Sequence, residues 1–254
     1  MVTQMTAQEC VAAVRREGGA LAHAARRDLA RPVPYYPGWS VADLVAHTGE
    51  VHRWALEIVR TRATEGGPLN EYQDRDPIRL LAWFEGGLET LARELEGADS
   101  NEPVWSFADQ TVGFWQRRMA HETAIHRWDA QSAFGDPQPI EWRLAATGIP
   151  ESLAIHVVQP TRNTAVGGHG ESVALRCDDV PDGWIVVLLP NEVRFEEGTG
   201  PATSSVAGTA SDVWLFVTGR PAPRIRLGGE ITAAAELQRI IRSVGAPKSP
   251  KRLR

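Results

Sequence analysis

The sequence predicts an α+β protein: an N-terminal four-helix bundle followed by a smaller C-terminal α/β domain. Three observations carry this. Four long segments with helical periodicity fill the first half, separated by proline- and glycine-rich loops. After about residue 140 the pattern turns to short apolar runs punctuated by Gly and Asp, which read as strands. Two of the helices carry His47 and the Glu122/His126 pair, residues that suit one inward-facing site better than a solvated surface. The domains are expected at 1–140 and 141–254.

Residues 6–30 repeat apolar positions at helical spacing (Val11, Val14, Leu21, Ala25, Leu29). RPVPYYPGW breaks the pattern, because its closely spaced prolines cannot continue a helix. Ser40 then opens a second helix, with Asp43 three residues on as the other half of a capping box. Val41, Leu44, Val45, Ala55, Ile58 and Val59 mark its buried stripe. EGGPLNEYQDRDP is a loop, and a third helix runs from about Ile78 to Leu95. GADSNEPVWSF is a further loop. The fourth helix spans about Thr111 to Phe134, read as amphipathic, with Gly135 as its C-terminal cap.

GDPQPIEW is a link, and a fifth helix covers about Leu144 to Val158. Six strands are then expected: VALRCDD, GWIVVLL, EVRFEEG, SSVAGTA, WLFVTG and RIRLGG. A closing helix, ITAAAELQRIIRSV, packs on the sheet. VGGHGES lacks the spacing of a phosphate or dinucleotide loop and reads as a simple connection.

With 254 residues, 43% hydrophobic and 23% charged, the chain can bury substantial cores. A net charge of −5 argues against a nucleic-acid or anionic-membrane partner, and the basic tail KSPKRLR reads as solvated. No apolar run reaches a membrane span, and the N-terminus lacks a signal-peptide core, so a cytoplasmic location is expected. Cys10 and Cys177 are read as buried thiols without a catalytic role. Some of the nine tryptophans are expected to line a pocket.

Glu122 and His126 are four apart, so they share a helix face. With His47 from the second helix they offer two imidazoles and one carboxylate, the ligand count of an open, reactive zinc site. The pair alone reads rather as an exposed helix ion pair, because such pairs are common, and becomes specific only together with His47. His52 falls off the face of His47, and His121 points away from that of Glu122. Glu50 either accepts from the free ring nitrogen of His47 or is a solvated carboxylate. His23, His156 and His169 read as surface or satisfied core residues.

PGWSVADLVAHTGEVHRW and RRMAHETAIHRWDAQSAFG together resemble the mycothiol-dependent maleylpyruvate isomerase family. GTASDVWLFVTGRP followed by RIRLGGEITAAAEL is similar to that family's C-terminal domain. The resemblance implies a DinB-like bundle binding a divalent metal, usually zinc, through His47, Glu122 and His126. It further implies that Arg220, in VTGRP, stands near the active site, where its planar guanidinium suits a substrate carboxylate. The bland alternative for Arg220 is a surface arginine beside a turn. The resemblance also implies an arginine immediately before the ligand glutamate, where this chain has His121.

These expectations combine into a metal-dependent enzyme, with His47 and Arg220 at its catalytic centre. Mycothiol would be the thiol cosubstrate, added to an electrophilic small molecule, such as a carboxylate, by an isomerase or an S-transferase working as monomer or homodimer. The alternatives are a non-catalytic metal- or ligand-binding protein and a metal-dependent hydrolase.

Overall fold

The structure, a computed structural model, describes residues 3–74 and 76–244; the tail KSPKRLR lies outside them. The chain has the predicted α+β class: four N-terminal helices, then a mixed five-stranded sheet with helices. It forms two compact units, one spanning Met5–Ile140 and a second that runs from Glu141 and includes residues 3–4.

In the helical unit α1 is Ala7–Ala25, α2 Val41–Thr61, α3 Pro77–Gly97 and α4 Val112–Ser132. Each of the first three starts where local chemistry satisfies its free N–H groups. Thr6 and Glu9 form a capping box on α1, and Ser40 and Asp43 form the expected one on α2. Asp76 accepts from the N–H groups of Ile78 and Arg79, and Pro77 takes the first helical position, where its missing N–H is harmless. The first helix ends at Ala25 rather than near residue 30, and Asp28 turns the chain by accepting the Ala30 N–H.

The packed neighbours are α1 with α4, α1 with α3, α2 with α3, and α2 with α4. Helices α2 and α4 are therefore side by side although far apart in sequence, which makes the candidate site. Helix α4 corrects one expectation. It is not amphipathic: buried residues lie on nearly every face, polar ones among them. Its polar groups find partners inside the fold. The Gln116 amide donates to the Leu95 carbonyl, and Arg127 donates to Glu17 of α1, Gln131 and the Gln138 carbonyl.

The second unit begins with α5 (Trp142–Ser152), which widens into a π-helical stretch, Leu153–Val158, and ends in the short turn α6 (Gln159–Thr161). Pro150 inside α5 and Pro160 in α6 each remove an N–H from the helical ladder, around the irregular turn. The strands are β1 (Glu171–Cys177), β2 (Gly183–Leu189), β3 (Glu192–Glu197), β4 (Ser204–Gly208) and β5 (Arg226–Gly229), in the order β3-β2-β1-β4-β5. Pairing is antiparallel except between β1 and β4. The glycines of VGGHGES are structural: a Cβ on Gly168 would meet the Leu188 backbone at 2.4 Å.

The expected strand WLFVTG is instead the end of a helix, α7 (Ala210–Val217), and α8 (Ile231–Val244) closes the unit. Thr209 caps α7 by accepting the Asp212 N–H. The helix ends at Gly219, φ +75°, with Gly219 N–H bonding Phe216 and Arg220 N–H bonding Leu215, a Schellman closure. Every residue of α7 is buried, so it shows no polar face and mimics a core strand. No helix among the described residues is long and apolar enough to cross a membrane.

Candidate metal centre

Helices α2 and α4 bring His47, Glu122 and His126 together, each offering one ligand atom within 4.8 Å of the others. Glu122 Oε1 lies 3.0 Å from His126 Nε2 and 3.5 Å from His47 Nε2. The imidazole rings stand nearly perpendicular, centroids 5.4 Å apart. Glu122 and His126 are buried, whereas His47 is partly exposed and gives the site its open side.

Two residues that the sequence did not single out complete the constellation. Asp129, fully buried, lies 3.1 Å from His126 Nδ1. A carboxylate there keeps a proton on Nδ1 and leaves Nε2, the nitrogen beside Glu122, as the one free to bind a metal once its own proton is lost, the usual backing of a metal-binding histidine. Arg118, one turn before Glu122, donates to its other oxygen, Oε2, at 2.5 Å. Arg118, Glu122, His126 and Asp129 form a stripe at i, i+4, i+8 and i+11, a spacing that is present in the sequence.

RPVPYYPGW does more than break a helix. Trp39 packs edge-on against His47, ring centroids 5.3 Å apart, and Tyr36 against His126 at 6.0 Å. The segment is held by Val33 N–H to the Trp39 carbonyl and Trp39 N–H to the Tyr36 carbonyl, with Gly38 at φ +84° turning the chain. Both imidazoles thus rest against a fixed aromatic wall.

Burial opposes charge on His126, but the adjacent Glu122 and Asp129 carboxylates overcome it and raise the imidazole to about 9. Burial likewise opposes a charged Glu122, yet Arg118 and His126 hold that carboxyl well below its usual range. Without a metal the pair is an imidazolium and a carboxylate. Two imidazoles, a carboxylate and the Asp129 backing fit a divalent ion with a coordination position left open. An ion held there would have to displace the His126 proton below about pH 9. Apparent affinity is therefore expected to rise about tenfold per pH unit between pH 7 and that value, then level off. Calorimetric titration in buffers of different ionisation enthalpy checks this through the protons released. A flat affinity from pH 7 to pH 9 would contradict the assignment.

Other residues expected near the site have different settings. Glu50 accepts the Tyr72 N–H at 2.6 Å and pins the loop before α3, so it is not simply a solvated carboxylate. His52 is fully buried against Thr123, and His121 is buried on α4. Arg220 belongs to the second unit. It is buried rather than on the surface, and its Nη1 donates to the Thr218 carbonyl at the end of α7. Cys177 is only half-buried, but burial and the acids Asp179, Asp182 and Asp178 push its thiol up to about 12, far from a reactive thiolate.

Fold and site define a helical-bundle protein with an open two-histidine, one-glutamate donor set. Residues 9–131 match the family of the mycothiol maleylpyruvate isomerase N-terminal domain, and the helical unit belongs to that family, as the sequence resemblance implied. The whole chain shares its fold with the crystal structure of the mycothiol-dependent maleylpyruvate isomerase, at 16% identity and TM-score 0.58, covering 97% of each chain. The crystal structure of a histidine-to-alanine mutant of mycothiol-dependent maleylpyruvate isomerase matches over the same share of each chain, at 15% identity and TM-score 0.58. No curated protein sequence gives a significant match.

Proposed function

We propose that the protein is a metal-dependent enzyme that activates a low-molecular-weight thiol, mycothiol, for addition to an electrophilic small molecule. The observation that carries this is the His47/Glu122/His126 donor set within 4.8 Å, on a domain of the mycothiol maleylpyruvate isomerase family. Zinc bound there supplies an open coordination position and the positive charge that favours a thiolate over a thiol.

The chain's own residues do the rest. Asp129 orients His126, and Arg118 holds Glu122 by Oε2 so that Oε1 faces the two imidazoles. Tyr36 and Trp39 support the imidazoles edge-on. A thiolate at this site adds to an unsaturated acid. The alkene's electron pair would move into the conjugated carbonyl as an enolate; if the enolate expels the thiolate after rotation about the new single bond, the enzyme is an isomerase of the maleylpyruvate type, and if the enolate instead takes a proton from water and the thioether stays, an S-transferase.

The test is turnover of cis-enoyl and other electrophilic acids by the zinc-loaded protein, with and without mycothiol. Thiol-dependent turnover without thiol consumption identifies the isomerase, and stoichiometric consumption the transferase. Turnover independent of thiol would replace this reading with a hydrolase, and metal binding without turnover with a binding protein.

Within the same proposal Arg220 holds the substrate carboxylate. Arg220→Lys keeps the charge but loses the planar fork, so kcat/KM for a carboxylate substrate is expected to fall about tenfold or more with metal content unchanged. Unchanged steady-state kinetics would leave Arg220 a structural role at the end of α7.

A further inference from the structure

We infer that His52 is a positioning residue for the metal ligand His47, acting through its hydrogen bond to Thr123; this rests on the metal reading above. His52 lies on α2 five residues beyond His47, and Thr123 follows Glu122 on α4. His52 Nε2 is 2.8 Å from Thr123 Oγ1. The Thr123 hydroxyl donates its only hydrogen to the Met119 carbonyl at 2.6 Å. Thr123 must therefore accept, so His52 carries a proton on Nε2 and donates it, which leaves the charge of the ring to be set by Nδ1. Its environment keeps it neutral: the ring is fully buried, and burial pushes it down to about 3.

The other ring nitrogen, Nδ1, is buried with no hydrogen-bond partner. One face of the ring stacks on Phe84 of α3, centroids 5.7 Å apart. As a core residue this is a poor choice, because an unsatisfied buried acceptor is destabilising and an aliphatic side chain would avoid it. A histidine supplies what an aliphatic residue cannot, a directional contact that fixes α2 along α4. Helix rise is about 1.5 Å per residue, so a slip of one residue would carry His47 out of reach of the donors on α4. Metal–ligand distances tolerate only a few tenths of an ångström. Next to the site, Thr48 bonds back to its own helix at Leu44 and Gly49 packs under Trp83. Neither of those contacts locks α2 against α4, whereas the His52–Thr123 bond joins the two ligand-bearing helices directly.

The proposal predicts that stability and metal affinity part company. His52→Leu removes the orphan nitrogen and the directional bond together. Its urea midpoint is expected to equal or exceed that of the parent, while Co2+ affinity, read by chelator competition and the visible band, falls about tenfold. Thr123→Val should weaken Co2+ binding similarly, and Thr123→Ser, which keeps the acceptor, should restore it. If His52→Leu does not fold, the Val/Ser comparison at residue 123 decides. Affinities within twofold of the parent for His52→Leu and Thr123→Val, or affinity and stability falling in parallel, would overturn this inference alone. A parent protein that binds no Co2+ would overturn it together with the metal reading.

Discussion

His126→Ala is expected to lower divalent-metal affinity by more than about 100-fold and to abolish metal-dependent activity. On the proposed site the substitution removes a ligand rather than one of the outer partners whose loss typically costs about 10–100-fold. It leaves Glu122 and His47, too few donors to compete with water for a divalent ion. The fold should survive, because Glu122 keeps Arg118 as its cationic partner at Oε2. His47→Ala should act in the same direction, with a smaller effect on stability because His47 is the more exposed of the two histidines. Metal analysis after dialysis, with circular dichroism as a control for folding, measures both. If both variants retained metal at the parent's level, the site assignment would fail.

The largest expected effect on stability lies elsewhere in the same unit. Arg127 and Glu17 are both buried and meet at 2.7 Å, joining α4 to α1. Glu17→Ala would leave a guanidinium in the core with only neutral acceptors, Gln131 and the carbonyls of Gln138 and Pro139. Breaking a buried pair from one side usually costs about 3–5 kcal/mol, and the remaining acceptors put this case toward the lower end. Replacing both partners, as in Glu17→Ala with Arg127→Met, should recover much of the loss by removing the orphaned charge. Urea unfolding of the single and double variants gives the comparison. A single-variant loss below about 1 kcal/mol would mean that water reaches Arg127 once Glu17 is gone.

The legible parts of the sequence are those whose physics is local. The Ser40–Asp43 capping box, the boundaries of α2 and α3, and the i, i+4 relation of Glu122 and His126 each follow from residues within one or two helical turns. Pairing α2 with α4 needs the family resemblance, because bundle topology is not written in any one helix. Helix α4 misleads for a definite reason: its polar residues are satisfied by Leu95, Glu17 and Asp129 rather than by water, so polarity does not mark an exposed face. Helix α7 misleads in the opposite way, since eight residues without a polar side carry no period that tells helix from strand. Its capping residues, Thr209 with Asp212 at the start and Gly219 at the end, are the better signal. Asp129 and Arg118 are hard to see in the sequence because each contacts His126 or Glu122 from one further helical turn and would not itself touch an ion held there. Trp39 and Tyr36 are hidden by their prolines, which mark what the segment ends and not what it supports.

Residues 3 and 4 belong with the sheet and not with the helices they precede. The Thr3 N–H is held by both carboxylate oxygens of Asp182, at 3.1 and 3.0 Å, and the Gln4 carbonyl accepts from Arg143 at 2.9 Å. The residues on either side of the helical unit are thereby stapled to each other. In genetic terms the bundle is an insertion whose entry and exit are neighbours, the arrangement in which a segment can be exchanged with least disturbance to its host. Ribosomal synthesis delivers the whole of Met5–Ile140 before the sheet exists, so the bundle can fold while Thr3 and Gln4 wait for Asp182 and Arg143 to be made. Amino-terminal trimming past Gln4 would remove ties belonging to the sheet, and a fragment beginning at Glu141 would lack Thr3 and Gln4.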